Sequence, residues 1–212
     1  MARMVSEGDA RVGLRERKKQ ETRLALSWAA IKLGIERGVD NVRVEDIAAE
    51  AGVSLRTFRN YFSGKAEAIA ARHLTRARRV AAALRERPPE EPLWEAIGHA
   101  VEEQFTLDGQ QAGARVPDRQ WIEGVRLLLT EPALQGEIHK VNARAQSELA
   151  AVVAERTGTD AERDLYPRLV AAAVGAAVST AIEHWLRTEP PVPVGPLLRE
   201  AVDRLAAGLP VP

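Results

Sequence analysis

The sequence predicts an all-α fold in two parts, a helix-turn-helix unit followed by a larger helical domain. Three observations carry this expectation. Apolar residues recur at helical spacing along almost the whole chain, and no alternating β-branched run with hairpin signals competes with them. Glycine, serine and proline stand where the helical runs stop and restart. The net charge of zero hides a division, because residues 1–87 hold 19 Lys/Arg against 11 Asp/Glu, a net of +8, and residues 88–212 carry the opposite −8. A basic half of this size is the electrostatic footprint of a polyanion binder, with an ordinary solvated surface as the plain alternative.

Residues 1–13 are expected to form a flexible arm. Leu24, Trp28, Ile31 and Ile35 then fall at helical spacing, giving a first helix from about Leu14 that Gly38 ends. A short second helix puts Val44, Ile47, Ala48 and Ala51 on one face. Gly52 closes it, and Ser54 can cap a third helix that runs to about Tyr61. After Ser63 and Gly64 a long helix turns Ile69, His73, Ala77, Val80, Ala81 and Leu84 inward. The run Arg85 to Pro92, "RERPPEEP", breaks that helix where the charge changes sign, and reads as a boundary between functional regions. Further helices are expected near 92–107, 118–130, 132–157, 161–187 and 195–208. Pro132 suits a first turn, Pro190, Pro191 and Pro193 make a stiff connector, and 108–116 reads as a flexible loop.

The 212 residues contain no cysteine, which removes disulfides, thiolate nucleophiles and cysteine metal sites together. The first twenty residues have no signal-like apolar stretch. The longest uncharged apolar run, Leu169 to Val178, is far shorter than the roughly 20 residues a membrane helix needs. A soluble cytoplasmic protein with no membrane partner is expected.

The stretch "EAGVSLRTFRNYFSGKAE", residues 50–67, carries the chemistry. Two short helices cross closely in a helix-turn-helix, so a small residue is needed at Ala48 and a left-handed backbone suits Gly52. Ile47, Ala51, Val53 and Phe58 supply the apolar contacts between them. With Phe58 and Phe62 inward, Leu55, Arg56, Thr57, Arg59, Asn60 and Tyr61 are left on the exposed or flanking surface. Arginine can bond guanine edges bidentately, threonine and leucine can meet a thymine methyl, and asparagine, tyrosine and lysine can bond phosphates. Lys65, at a helix start, adds its charge to exposed amides and could hold a phosphate. Upstream, Lys19 and Arg23 are candidates for the DNA backbone or minor groove, and a frayed, solvated helix end is the alternative.

From about residue 15 to 75 the chain resembles the TetR family of bacterial transcriptional regulators, above all in "VEDIAAEAGVSLRTFRNYFSGKAEAI". The resemblance implies an all-helical homodimer, a DNA-binding domain over 14–66, and an effector-binding and dimerisation domain over 67–212. By position, Leu55, Arg56 and Arg59 would face bases, while Thr57, Asn60, Tyr61 and Lys65 would mostly hold the backbone; Ser54 counts with them among the expected DNA-binding residues. Arg43 departs from the family, which often has Ser or Thr there as helix cap and phosphate contact. Arginine can bind phosphate but cannot cap in that way.

The last two helices have long apolar stripes, and the resemblance implies that they pair with those of a second subunit; an intramolecular core is the alternative. A two-fold dimer would read a near-palindrome with half-sites one or more turns, roughly 34 Å, apart. Trp94, Phe105, Trp121, Leu128, His139, Asn142 and Trp185 lie on helices expected to surround an interior cavity, an apolar space with few polar handles. "LRERPPEEPLWEAI" and "EHWL" resemble a subgroup with acyl-CoA-like ligands, which implies a long, amphipathic, acyl-bearing effector. Catalysis is not expected, nor any cofactor or metal: none of the four histidines has Glu three residues before it, and Gly-rich phosphate loops, GxSxG and HExxH are absent. A sequence-independent nucleic-acid binder would spread basic charge over the whole fold, against which the acidic C-terminal half argues.

Overall fold

The computed structural model describes residues 7–111, 119–187 and 193–211, of which 7–14, 16, 106–111 and 119–121 are described by their backbone alone. Among the described residues the regular structure is helical: α1 (Glu7–Arg37), α2 (Val44–Glu50), α3 (Leu55–Tyr61), α4 (Lys65–Glu86), α5 (Leu93–Gln111), α6 (Arg119–Thr130), α7 (Gln135–Thr157), α8 (Leu165–Trp185) and α9 (Val194–Ala206). Short 3-10 turns stand at Val39–Asn41 and Pro132–Leu134. The chain divides into two compact units, Met1–Arg72 with Glu131–Leu134, and His73–Thr130 with Gln135–Pro212. The division falls inside α4, so neither residue 66 nor the Pro88-Pro89 break marks it.

In the first unit α1 packs on α2 and α2 on α3. The α1 helix begins at Glu7, so the backbone of residues 7–13, expected as part of a flexible arm, is helical. Its core face also differs from the expected stripe. Ile31 of that stripe is buried, with Leu26, Ala30 and Leu33 beside it, whereas Leu24 and Ile35 are half-buried and Trp28 is 38% exposed with the Arg72 guanidinium 3.5 Å from its ring centroid. Apolar residues surround α1 between positions 24 and 35, so two overlapping stripes satisfy helical spacing and packing selects one. The cation–π contact then keeps the indole covered at the surface.

In the second unit α5 packs on α9, α7 on α8, and α8 on α9 around a core that includes Leu84, Ile97, Val153, Val174, Trp185 and Leu198. Each fully buried large side chain contributes about 1.5–3 kcal/mol. The α4 and α7 helices run parallel in a fixed register. His73 pairs with Asn142, Arg78 with Glu148 and Arg85 with Glu155, separations of 69, 70 and 70 residues.

The Pro-rich break belongs to this unit and is pinned there. Arg156 on α7 donates from Nη1 to the carbonyls of Leu84 and Arg87, and from Nη2 to those of Pro88 and Glu91. Two of these carbonyls, those of Leu84 and Pro88, also accept the backbone amides of Arg87 and Glu91, so Arg156 adds a second donor there while it ties the end of α4 to the following turn. Beside them the Arg87 guanidinium, with help from His99, holds the Glu91 carboxyl down to about 2.

Other expected boundaries shift by a turn. Residues 161–163 form a turn because Asp160 Oδ1 accepts from the Glu162 and Arg163 amides, and α8 starts only at Leu165. Residues 108–111 of the expected loop belong to α5, and 112–116 lie outside the described residues, as do Pro190 and Pro191. By length and composition α8 could cross a membrane, a reading the interrupting Arg168 obscures in sequence; it packs as a core helix against α7 and α9. Leu165 and Leu169 nevertheless stand 75% and 58% exposed on its outer face.

Candidate nucleic-acid interface and interior cavity

The turn between α2 and α3 is built as the small and left-handed residues demand. Gly52 has φ 67°, its amide donates to the Ala49 carbonyl at 3.0 Å, and the Val53 amide to the Ala48 carbonyl at 2.9 Å. That pair is a Schellman closure. Ala48 is buried at 2% exposure beneath it. Ser54 Oγ then accepts from the Thr57 amide at 3.0 Å, capping α3.

Within α3 the two faces separate cleanly. Phe58 and, just past the helix end, Phe62 are buried with rings 5.9 Å apart. Arg56, Arg59 and Asn60 are exposed on the other side, and Leu55, Thr57 and Tyr61 are half-buried along its flanks. Two arginines and an asparagine on one exposed helical face can bond base edges and phosphates together.

Two other basic residues, Lys65 and Arg23, place side-chain donors on backbone carbonyls of the fold. Lys65 Nζ donates to the carbonyls of Val39, Asp40 and Val42 at 2.7, 3.2 and 3.0 Å, so it ties α4 to the turn before α2. The phosphate contact expected of Lys65 would compete with these three backbone carbonyls. Arg23 donates from Nη1 to the Tyr61 carbonyl at 3.2 Å and lies 4.5 Å from the Phe62 ring centroid. Its charge therefore closes the C-terminal end of α3, where the helix dipole favours a cation. At the start of α2 the Arg43 side chain offers no acceptor, and the cap is made in reverse: the Arg43 amide donates to Asp46 Oδ2 at 3.1 Å. The Arg43 side chain is exposed there, and Lys19 is exposed on α1.

The second unit holds a half-open cavity of about 310 Å³. Its walls come from α4, α5, α7 and α8, with Val80, Val101, Leu149 and Val174 among its apolar lining. Its polar groups are His73, Arg76, Asn142, Gln146 and Ser179. His73 Nε2 lies 2.8 Å from Asn142 Oδ1. The surrounding protein encloses this imidazole, and that desolvation, reinforced by the Arg76 charge and opposed by Asn142, pushes it below the usual histidine value. Arg76 is 7% exposed, with its guanidinium 4.6 Å from the Phe105 ring centroid.

Comparison with known proteins decides the identity. Residues 28–71 match the family described as bacterial regulatory proteins of the tetR family, and residues 91–210 match the MftR C-terminal domain. The HTH-type transcriptional regulator TcmR of Streptomyces glaucescens is 31% identical over 182 residues, covering 84% of this chain and 79% of TcmR. The chain belongs to the TetR family of transcriptional regulators. Among solved structures this TetR-family protein is similar to the fatty acid degradation regulator FadR of Bacillus halodurans, with TM-score 0.58, 19% identity, and 89% and 96% of the two chains covered. It is also similar to the Thermus thermophilus repressor FadR, solved in complex with lauroyl-CoA, with TM-score 0.50, 17% identity and 90% and 96% coverage.

Of the residues expected around an effector, Phe105 and Asn142 line the TetR-family protein's 310 Å³ cavity. Four others stand elsewhere. Trp185 is buried in the core at 2% exposure, Trp94 packs against that core, Leu128 is half-buried on α6, and His139 is exposed on α7. The Trp121 side chain lies outside the described residues. The reason is that a helix has several inward directions, and only the α4–α7 register decides which of them meets the cavity. His73, Arg76, Gln146 and Ser179 were not among the expected lining residues. One signal was available for Arg76: it stands three residues after His73 and four before Val80, a charge within an otherwise apolar stripe.

Proposed function

We propose that this TetR-family regulator is a cytoplasmic homodimeric repressor that grips a near-palindromic operator through α3. A small acyl-bearing effector in the cavity of the second unit releases it. In this reading residues 14–66 bind DNA and 67–212 bind effector and partner. The observation that carries it is the division of α3 into a buried face of Phe58 with Phe62 and an exposed face of Arg56, Arg59 and Asn60. Dimerisation through α8 and α9 is supported by the apolar face they leave outward, where Leu165, Leu169 and Leu209 are exposed beside half-buried Leu197, Ala201 and Leu205. The acyl-bearing character of the effector is supported by the apolar cavity walls, and T. thermophilus FadR accepts lauroyl-CoA on the same fold. Release follows from linkage: an effector that prefers the conformation with weaker DNA binding must lower operator affinity by the same coupling energy.

The test compares wild type, Arg56→Ala and Arg59→Ala on a duplex selected from a random library and on its scrambled counterpart. Each variant should lose the preference for the selected duplex while the dimer mass in native mass spectrometry stays unchanged. Undiminished discrimination in both variants would overturn α3 as the recognition element.

A further inference from the structure

We propose that Arg23 is a positioning residue for operator discrimination: from α1 it fixes the C-terminal end of α3, and with it the direction in which Arg59 and Asn60 meet the bases. This rests on α3 being the recognition element proposed above.

The α3 helix has seven residues, two turns or about 10 Å. A helix so short does not hold itself, so its direction is set by what grips its buried face and its two ends. The N-terminal end is held locally. The Gly52 and Val53 amides close the turn before it, and Ser54 Oγ accepts from the Thr57 amide and lies 2.8 Å from the Thr57 hydroxyl. Phe58, at 1% exposure, anchors the middle.

The C-terminal end is supported from a distance. At Phe62 the backbone is extended (φ −141°, ψ 140°), so the helix stops, and the Tyr61 carbonyl, one of its last four, has no amide of the same helix to accept from. Arg23 donates to this carbonyl from 38 residues earlier in the chain, and the same guanidinium lies 4.5 Å from the Phe62 ring centroid. A flat cation that donates in its plane and stacks through its face fixes both position and tilt, which a point charge on a flexible stem does not. The α1 and α3 helices each pack on α2, and Arg23 adds a direct side-chain tie between them.

The exposed Arg59 and Asn60 stand two and one positions before Tyr61, whereas Arg56 stands two positions after the Ser54 cap. Base readout depends on bonds of about 2.7–3.2 Å, so a tilt that moves the last turn by about 1 Å breaks a bidentate contact. With the N-terminal end held, loss of Arg23 moves the last turn most. The cost falls on the bases that Arg59 and Asn60 read and spares those that Arg56 reads. A phosphate contact made by Arg23 behaves otherwise: its loss weakens every duplex alike and lowers the slope of log K against log salt by about 0.9.

Anisotropy titration of the full-length protein tests this on the selected duplex, its scrambled counterpart and duplexes with each base pair of the half-site changed in turn. In Arg23→Met, affinity for the selected duplex should fall about tenfold, the worth of one bidentate contact, while affinity and salt slope on the scrambled duplex stay unchanged. The base pairs that lose discrimination should be those lost in Arg59→Ala and not those lost in Arg56→Ala. Arg23→Lys keeps the charge and a donor but not the stacked plane, and should show the same pattern at reduced size. Equal loss on both duplexes with the lower slope, full discrimination in a folded Arg23→Met, or loss spread evenly over the half-site would each overturn the proposal. Should Arg23→Met not fold, Arg23→Lys decides, and wild-type discrimination in it refutes the positioning role. Undiminished discrimination in both Arg56→Ala and Arg59→Ala overturns the reading of α3 and this inference with it. Discrimination lost in those two and kept in Arg23→Met overturns this inference alone.

Discussion

Lys65→Met removes an ammonium and keeps most of its apolar stem, so it separates a structural tie from a phosphate contact. In the folded chain Nζ reaches three carbonyls, those of Val39, Asp40 and Val42, at 2.7, 3.2 and 3.0 Å. A hydrogen bond to a charged group contributes about 1.5–3 kcal/mol when measured alone. Three that share one ammonium do not add, and Lys65 is only half-buried, so the expected loss is about 2–4 kcal/mol. Urea denaturation should show this as a lower midpoint. Under conditions where both proteins are folded, anisotropy titrations of the selected duplex over a salt series should give equal slopes of log K against log salt. A lost phosphate contact would lower that slope by about 0.9. A lower slope with stability unchanged to within about 0.5 kcal/mol would refute the reasoning and return Lys65 to the DNA.

Three further outcomes are expected. Gly52→Ala should destabilise the chain by about 1–2 kcal/mol through its φ of 67° alone, because an added Cβ meets nothing within 4 Å; Gly52→Asn should cost less in the same urea titration. Arg156→Ala should lower the urea midpoint by an amount equivalent to about 1–3 kcal/mol, since the carbonyls of Arg87 and Glu91 lose the guanidinium donor while those of Leu84 and Pro88 keep their backbone donors. The third concerns pH. Since folding pushes His73 below its ordinary value, the unfolded chain takes up the proton first as pH falls. Stability should therefore be flat above about pH 7 and decline as pH drops from about 6.5 toward the folded value. Urea midpoints between pH 5 and 8 should show that slope, and His73→Gln should reduce it. The contribution of Glu91, whose carboxyl is held to about 2, falls in a separate window, present above about pH 4.5 and lost below it.

The helix-turn-helix was legible because its constraints are local. The small residue at Ala48, the left-handed Gly52, the Ser54 cap and the inward Phe58 sit within eleven residues, and each is tied to backbone geometry that neighbours in sequence enforce. All-helical structure and the opposite charge of the two halves were equally open to reading, because periodicity and composition survive without knowledge of packing. What only the tertiary structure decided was which of several permitted directions each side chain takes. Lys65 and Arg23 read as DNA contacts, and the fold brings carbonyls from 26 and 38 residues away, which engage the Lys65 ammonium and one Arg23 donor. Trp185 and Phe105 read alike as aromatic residues on inward helices, yet one fills the core and the other lines a cavity beside a buried arginine. The parallel register of α4 and α7, which brings Arg76 level with Asn142 and Gln146, joins residues about seventy apart. Periodicity assigns a residue to a stripe, but the level at which two stripes meet is fixed by packing, and packing is a property of the folded chain.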